Sequence, residues 1–223
     1  MIIYGADLSG PGNKVRFVAN YLGLAYEYRR VSLRDREHRH PEFLQLHPAG
    51  KIPVLEDQGF VLFESDAICR YLAQREQSRL YPESLRPQAL VNQWLDFVAQ
   101  HVGTAMSRVV FNQIFAPRIG TAVDQQSLRE GHAFLDRFLP VLEQQLASQP
   151  YLSGPELSLA DMSLLAILDP AEAAEVELSP YPAMVRWREG LMAEDFYQRC
   201  HASYLDQLRA FDQRRAKKMD PGP

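Results

Sequence analysis

Strand-like segments occur only in the first third of this 223-residue chain, where they alternate with helical patterns. Val15, Val18, Ala19 and Leu22 have the spacing of one helical face, and Gly23 follows as a helix stop. The strand-like segments are MIIY, YEYRRVS, PVLE and FVLF, and the last two flank a DQG turn typical of an antiparallel hairpin. With a short helix at PEFLQLH and another after FVLF, the predicted order is β-α-β-α-β-β-α. The first strand-helix-strand unit should be a right-handed parallel crossover.

Beyond this unit the strand patterns disappear and only helical periodicity remains. Apolar residues recur at helical spacing from Val91 to Val109 and from Leu128 to Leu146, and shorter helices fit LSLADMSLLAIL, YPAMVRWREGLM and EDFYQRC. A polar, proline-punctuated stretch between the two parts is typical of a linker. We therefore predict an α/β domain at 1–76, a linker at 77–86 and an all-helical domain at 87–223. Pro140 lies inside the second long helix and should kink or divide it.

Charge and cysteine content argue against several classes of protein. A formal net charge of −4 is unlike that of a nucleic-acid binder, which needs clustered Lys and Arg. No segment has the length and hydrophobicity of a membrane span, and the N-terminus lacks the pattern of a secretory signal. Cys69 and Cys200 form neither a CxxC unit nor a zinc-ligand spacing, so we expect no metal and a reducing, cytoplasmic location. One basic cluster is predicted to be a solvated, frayed tail, with membrane or RNA contact as the alternative: Arg214, Arg215, Lys217 and Lys218.

The dipeptide Ile52-Pro53 stands between the short helix and the hairpin. A proline at the start of a strand commonly only marks an edge strand, and few X-Pro bonds are cis. In a β-α-β-α-β-β-α domain, however, a proline at this point is the thioredoxin-like arrangement. There a cis bond turns the backbone N–H and C=O of the preceding residue toward a ligand, so Ile52 could pair like a strand with an extended peptide.

Glu64 and Ser65 follow the hairpin directly. Ser65 is predicted to be the N-cap of the next helix, and capping alone would account for it. The same helix N-terminus also presents free N–H groups and a positive dipole end, where a ligand carboxylate could bind. Glu64 could then accept a hydrogen bond from a ligand ammonium group. An amino acid carries both groups on its α-carbon, so this pair could hold the amino-acid end of a ligand.

Ser9 lies between the first strand and the first helix, in ADLSGPGNKV. Ser-Gly-Pro-Gly can be an ordinary turn with Pro11 near the helix start. No GxSxG elbow is present and no motif links a histidine to Ser9, so a hydrolytic triad is not indicated. A hydroxyl at a helix N-terminus can instead donate to a bound thiolate and lower the pKa of that thiol.

Two stretches together resemble the cytosolic glutathione transferases, and the resemblance covers nearly the whole chain. HPAGKIPVLED…FES is similar to the glutathione-binding signature, and LSLADMSL is similar to the capping box and hydrophobic staple of the family's helical domain. In the second stretch Ser158 and Asp161 can cap each other while Leu157 packs on Met162. The interval from Ser9 to Val15 resembles that of serine-type members such as the theta and phi classes. Among these, the chain looks like a bacterial member.

The resemblance implies a role for each candidate residue, with glutathione as the co-substrate. Ser9 would activate the glutathione thiol, and Ile52, before Pro53, would pair its backbone with the cysteinyl part. Glu64 and Ser65 would hold the γ-glutamyl end. The glycyl carboxylate would meet His38, Arg39 and Lys51, although RDREHRH could also be a solvated charged loop.

An apolar acceptor site is expected between the domains. Its candidate lining residues are Met106, Val110 and Phe111, for which ordinary helix packing is the alternative. The resemblance also implies a homodimer in which the first domain of one subunit contacts the second domain of the other. We thus expect conjugation of the glutathione thiolate to small, mainly apolar electrophiles, without partners among nucleic acids or membranes.

Two other functions remain open at this point. A glutathione-dependent peroxidase or disulfide reductase would use the same thiolate; SGPGNKV also resembles bacterial members with such activities, but a serine stands where the reductases usually carry cysteine. A non-catalytic transferase-like binding module would keep the fold without the site. The intact set of Ser9, Ile52-Pro53 and Glu64-Ser65 argues against that module.

Overall fold

The computed structural model describes residues 1–201 and 203–219, with side chains described up to residue 214. The first part of the chain forms a four-stranded sheet in the order β2-β1-β3-β4. Its elements are β1 (Ile2–Gly5), α1 (Gly10–Tyr21), β2 (Glu27–Arg30), a 3₁₀ turn (Glu37–Arg39), α2 (Pro41–Leu46), β3 (Val54–Asp57), β4 (Phe60–Phe63) and α3 (Ser65–Arg75). β1 and β2 are parallel, whereas β3 is antiparallel to β1 and β4 to β3. The predicted thioredoxin-like β-α-β-α-β-β-α order is confirmed.

The hairpin between β3 and β4 turns through two residues. Gln58 and Gly59 have φ of +50° and +85°, the two left-handed conformations that a type I′ turn requires. Asp57, predicted to belong to the turn, is the last residue of β3 and pairs with Phe60. β3 itself begins at Val54 rather than at Pro53, because a proline has no N–H to contribute to a ladder.

Over the residues that the structure describes, the second part of the chain consists of helices and loops, with one isolated β-bridge between Tyr151 and Gly154. One long helical path joins α4 (Leu85–Phe97), a π-helical segment (Val98–Val102), α5 (Gly103–Val110), a second π-helical segment (Phe111–Phe115) and α6 (Ala116–Ile119). It is followed by α7 (Gln125–Ser148), α8 (Leu159–Leu168), α9 (Pro182–Met192), α10 (Asp195–Gln198) and α11 (Tyr204–Met219). None of the helices described is both long enough and apolar enough to cross a bilayer.

Three sequence expectations for this part need correction. α4 begins at Leu85, so the end of the predicted linker is helical. α7 continues through Pro140, so division of the helix at this residue is wrong, whereas a kink there stays a prediction. The basic cluster lies in α11, a helix rather than a frayed end. Arg214 is described, whereas the side chains of Arg215, Lys217 and Lys218 lie outside the described ones.

A continuous apolar core joins the two domains. α1 contributes Phe17 and Val18, which are fully buried, and it packs against α8 and α10 of the helical domain. The Leu159 backbone amide donates to the Leu80 carbonyl oxygen at 2.9 Å, and Asn20 Nδ2 donates to the Phe196 carbonyl oxygen, also at 2.9 Å. The shared core and the hydrogen bond from Asn20 therefore fix α1 relative to the helical domain.

The predicted capping box at the start of α8 is present. Asp161 Oδ2 accepts from the Ser158 amide at 3.0 Å and from the Ser158 hydroxyl at 2.7 Å. Asp161 Oδ1 accepts from the Leu152 amide at 2.9 Å and from Trp187 Nε1 at 3.1 Å. Asp161 thus joins three segments of the helical domain and has a structural role.

Candidate functional site

One end of the sheet collects the segments that carry the candidate residues. β1, β2 and β4 all end there, at Gly5, Arg30 and Phe63, and antiparallel β3 begins there at Val54. The segments that connect the strands at this end of the sheet carry Ser9, His38, Arg39, Lys51, Ile52, Pro53, Glu64 and Ser65. The topology therefore gathers residues that lie up to 56 positions apart, from 9 to 65, at one end of the sheet.

Ser9 is the N-cap of α1, with extended φ and ψ of −89° and 106°. Its Oγ accepts a hydrogen bond from the Gly12 amide at 3.2 Å, and its own amide donates to the Ala6 carbonyl oxygen at 2.9 Å. A hydroxyl that accepts in this way keeps its proton available for donation. The side chain is half-buried, so Ser9 can donate to a ligand at the positive end of α1.

The Ile52-Pro53 bond is cis, as the thioredoxin-like arrangement implied. Pro53 is buried and Ile52 is half-buried. Within the described part of the chain, neither the N–H nor the C=O of Ile52 has a hydrogen-bond partner. Both groups are therefore free to pair with an extended ligand backbone.

Glu64, and not Ser65, is the N-cap of α3. The prediction for Ser65 is wrong by one residue, because the chain turns at Glu64 with φ +70° and ψ 113°, a conformation that non-glycine residues rarely adopt. Ser65 is instead the first helical residue. It presents its hydroxyl beside the first-turn amides of α3, which have no intrahelical partners. Glu64 remains exposed.

A buried lysine that the sequence analysis missed anchors this helix start. Lys14 Nζ lies 2.7 Å from Asp66 Oδ1 and donates to Ser163 Oγ at 3.1 Å. Its side chain is 6% exposed, so the ion pair is largely shielded from water. The pair ties α1, α3 and α8 together next to Ser65. The available signal was spacing: Lys14 precedes Val18 by four positions and so shares its buried face.

Gly50 holds the loop with His38 and Arg39 against the segment with Lys51. It has φ +59°, and a Cβ there would lie 2.5 Å from the His38 carbonyl oxygen, so only glycine fits. Arg39 Nη1 donates to the Ala49 carbonyl oxygen at 3.2 Å. The structure thus brings the three candidates for the glycyl carboxylate onto neighbouring segments.

His38 is suited to an anionic ligand. Burial, followed by the positive charges of Arg39 and Arg36, holds the pKa of its imidazole below the usual value. The buried Nδ1 atom of His38 has no hydrogen-bond partner among the described residues. A carboxylate bound beside this imidazole would supply a negative charge.

The acceptor candidates differ in accessibility. Met106 is 2% exposed and belongs to the core, which favours the packing alternative for this residue. Val110 is half-buried and Phe111, in the second π-helical segment, is 46% exposed. A separate groove of about 520 Å³, lined by the linker, α4 and the segment before α8, contains none of the candidate residues.

Comparisons with known proteins identify the family of the chain. Residues 2–74 match the family model described as the glutathione S-transferase N-terminal domain, and residues 98–195 match that of the C-terminal domain. Glutathione S-transferase 1 of Zea mays is 32% identical over 206 residues, covering 91% of this chain and 96% of the relative. Glutathione S-transferase theta-2B of Homo sapiens is 30% identical over 223 residues, covering 97% and 90%.

Solved structures give the same answer. Glutathione transferase F7 from Populus trichocarpa superposes with a TM-score of 0.83 at 28% identity, covering 89% of this chain and 96% of that one. Glutathione S-transferase I from mais, in complex with an atrazine glutathione conjugate, gives 0.82 at 31% identity, covering 89% and 95%. Sequence, fold and the residues gathered at the sheet edge lead to one conclusion: the chain belongs to the glutathione S-transferase family.

Proposed function

We propose that Ser9 is the residue with which this glutathione transferase stabilises the thiolate of bound glutathione. The observation that carries the proposal is the hydrogen bond from the Gly12 amide to Ser9 Oγ, 3.2 Å long, which leaves the hydroxyl proton for donation. The positive end of α1 adds to the stabilisation. A thiol with a lowered pKa is ionised to a greater extent at neutral pH and is therefore the better nucleophile.

The reaction needs little from side chains besides this stabilisation. The thiol proton passes to solvent, and the thiolate sulfur attacks an electrophilic carbon. A carbon–sulfur bond forms while the leaving group departs with its bonding electron pair. Holding the acceptor beside the sulfur supplies the remaining rate enhancement, because proximity removes an entropic barrier.

Glutathione would lie across the end of the sheet where the candidate segments meet. The unpaired N–H and C=O of Ile52 suit the cysteinyl backbone, and the free amides at the start of α3 suit the γ-glutamyl carboxylate, with Glu64 near its ammonium group. His38, Arg39 and Lys51 would surround the glycyl carboxylate. Charge and unpaired donors support this orientation of the tripeptide.

We assign the acceptor subsite to Val110 and Phe111, which retain accessible apolar surface. The π-helical segment at Phe111 supports this assignment, because such segments occur frequently at functional sites. The relatives named above are transferases, so peroxidase or disulfide reductase activity and a non-catalytic module are not favoured. Assays with a chloronitrobenzene, cumene hydroperoxide and a mixed disulfide would compare the activities directly.

Replacing the Ser9 hydroxyl tests the proposal. In Ser9→Ala, loss of one hydrogen bond to a charged group should raise the pKa of the bound thiol toward the value near 8.5 of a free thiol. We expect kcat/KM at slightly acid pH to fall about 10- to 100-fold. The thiolate is measured by its ultraviolet absorbance across a pH series.

Ser9→Thr is the matched control, since it retains a hydroxyl and should keep most of the effect on the thiol. If Ser9→Ala binds glutathione with an unchanged thiol pKa, Ser9 does not have this role. If the wild-type protein fails to bind millimolar glutathione, the proposed orientation of the tripeptide fails as well.

We further propose a homodimer, on the basis of two partly exposed apolar patches in different domains. The β4 patch consists of Val61 and Phe63, which are 36% and 40% exposed and share one face of the strand. The aromatic patch on the helical domain consists of Phe97, His101, Phe134 and Phe138, whose rings lie 5.0 to 6.0 Å apart. Contiguous exposed apolar surface is typical of an interface, and a two-fold axis could bring each patch against its complement.

A cytoplasmic location is our proposal as well. Cys69 and Cys200 are both free and buried, as expected in a reducing compartment. Fractionation of cells that produce the protein would test it, and recovery outside the cytoplasmic fraction would contradict it.

A further inference from the structure

The loop that carries Ser9 is held by side chains from outside the loop. It consists of residues 6–9 and connects β1 to α1. Within it, the Ser9 amide donates to the Ala6 carbonyl oxygen. The two carbonyl groups between these positions accept from side chains instead. The Asp7 carbonyl oxygen accepts from Asn13 Nδ2 at 3.0 Å, and the Leu8 carbonyl oxygen accepts from the Tyr204 hydroxyl at 3.3 Å.

Asn13 is completely buried, and its amide group is held at both ends. While Nδ2 donates to the Asp7 carbonyl, Oδ1 accepts from Arg16 Nη1 at 3.3 Å and from the Cys200 thiol at 3.7 Å. Arg16 Nη2 in turn donates to the Cys200 carbonyl oxygen at 3.0 Å. These contacts leave one orientation for the Asn13 side chain, with its donor toward the Ser9 loop.

Tyr204 belongs to α11, at the other end of the chain, and is 3% exposed. Burial raises the pKa of its hydroxyl, so the group stays neutral and remains a donor over the working pH range. Arg214, ten positions further along α11, places Nη2 4.0 Å from Asp7 Oδ2. α11 therefore lies over the Asp7–Leu8 part of the loop.

A bidentate ion pair holds α11 in this position. Arg118, at the end of the long helical path, binds both carboxylate oxygens of Asp212 with distances of 3.0 and 3.1 Å. The same guanidinium group donates to the Ile114 carbonyl oxygen at 2.7 Å. The helix that presents Tyr204 to the loop is thus anchored to the helical domain independently of the loop.

We propose that Asn13 and Tyr204 are positioning residues for Ser9. The direction of the Ser9 hydroxyl depends on the peptide planes before it, and these two side chains fix the carbonyl groups of Asp7 and Leu8 in those planes. Loss of either donor lets the loop relax and moves the hydroxyl away from the thiolate. The inference rests on the role of Ser9 proposed above and extends it to residues from α1 and α11.

Tyr204→Phe and Asn13→Ala test the inference in the full-length protein, each made alone and combined with Ser9→Ala. Each single variant should raise the pKa of the bound glutathione thiol, measured from thiolate absorbance, and lower kcat/KM at slightly acid pH about three- to tenfold. In the Ser9→Ala background neither should change the thiol pKa further. This non-additivity is expected only of residues that act through Ser9.

Tyr197→Phe is the matched control. It also removes a buried tyrosine hydroxyl from the C-terminal part of the chain, one that donates to Asp169 Oδ1 at 2.6 Å and does not contact the loop. The Tyr197→Phe variant should be less stable than the wild-type protein, whereas the pKa of the bound glutathione thiol should be unchanged. Thermal melts of all variants identify losses due to misfolding, and Tyr204→Phe still provides the test if Asn13→Ala does not fold.

The outcomes separate the two proposals. If Ser9→Ala leaves the thiol pKa unchanged, the role of Ser9 fails. If Ser9→Ala raises it but Tyr204→Phe does not, or does so equally in the presence and absence of Ser9, the positioning role is overturned while the role of Ser9 stands.

Discussion

Ser9 and Ser65 both stand at helix starts, but their hydroxyls are placed differently. Ser9 is an N-cap whose Oγ already accepts a hydrogen bond from the Gly12 amide. The orientation of its hydroxyl is therefore fixed, and the hydroxyl proton is available for donation to a ligand. Ser65 lies one residue inside α3, after the left-handed turn at Glu64. It can therefore donate from both its hydroxyl and its amide. This difference suits Ser9 to a single charged sulfur and Ser65 to a carboxylate with two oxygens.

His38 offers a test by proton linkage. Because its pKa is held below the usual value, the free protein carries a neutral imidazole at pH 7. A bound glycyl carboxylate favours the protonated form, so binding should take up a proton. Affinity should therefore rise as pH falls from 7 toward the lowered pKa of His38 and level off below it.

The probe for this test is S-methylglutathione, because it has no thiol whose own proton release would mask the uptake. Calorimetry in buffers of different ionisation heat gives the number of protons bound. His38→Gln should abolish the uptake and weaken binding about three- to tenfold at pH 6. The neighbouring His40→Gln should behave as wild type; equal proton uptake by His38→Gln and wild type would falsify the assignment.

At the scale of single elements, α8 depends on a buried carboxylate. Burial raises the pKa of Asp161 to about 6, although four hydrogen bonds favour its charged form. Asp161→Asn replaces one accepting oxygen by an amide that cannot accept, and leaves donors unpaired. We expect the free energy of unfolding to fall by about 2–4 kcal/mol at pH 7, measured with urea.

The pH dependence of this effect has a definite sign. Since the native state takes up the Asp161 proton near pH 6 and the unfolded chain only near 3.8, the wild-type protein gains stability from this group as pH falls between these values. Asparagine does not titrate. The destabilisation by Asp161→Asn should thus be larger at pH 5 than at pH 7. Exposed Asp96→Asn should change stability by less than about 0.5 kcal/mol.

Local patterns in the sequence were sufficient to predict most elements. The short apolar run FVLF predicted β4 at its observed bounds, and S-x-x-D predicted the start of α8. α11 was missed because its sequence, YLDQLRAFDQRRAKKM, is mostly polar, and it is held by the Arg118–Asp212 pair rather than by a wide apolar stripe. The N-cap at Glu64 was missed because only tertiary structure selects its left-handed conformation.

At the scale of the whole molecule, the candidate site follows from topology. Ser9, Ile52 and Ser65 were predictable from motifs, since each stands at an element boundary that the sequence marks. The Lys14–Asp66 pair and the contact of Tyr204 with Leu8 were not, because their partners are 52 and 196 positions apart. The burial of Met106 likewise depends on how several helices pack together.

Assembly is the prediction that belongs to this scale. Phe134 is 40% exposed and stacks on Phe138, so Phe134→Asp places a charge in the aromatic patch. We expect wild-type protein to sediment as a dimer and this variant as a monomer at micromolar concentration. Leu85→Asp, at a position 80% exposed and outside both patches, should remain a dimer. A monomeric wild-type protein would rule out the proposed assembly.

The contact between Tyr204 and Leu8 also bears on the order in which the molecule folds. Its 196-residue separation makes it a contact whose formation must close almost the entire chain, at a high cost in conformational entropy. The sheet can form from much nearer partners, but the docking of α1 on α10 closes a similar length of chain. The loop with Ser9 is thus expected to become rigid only when the two domains dock, after the strands of the sheet have paired.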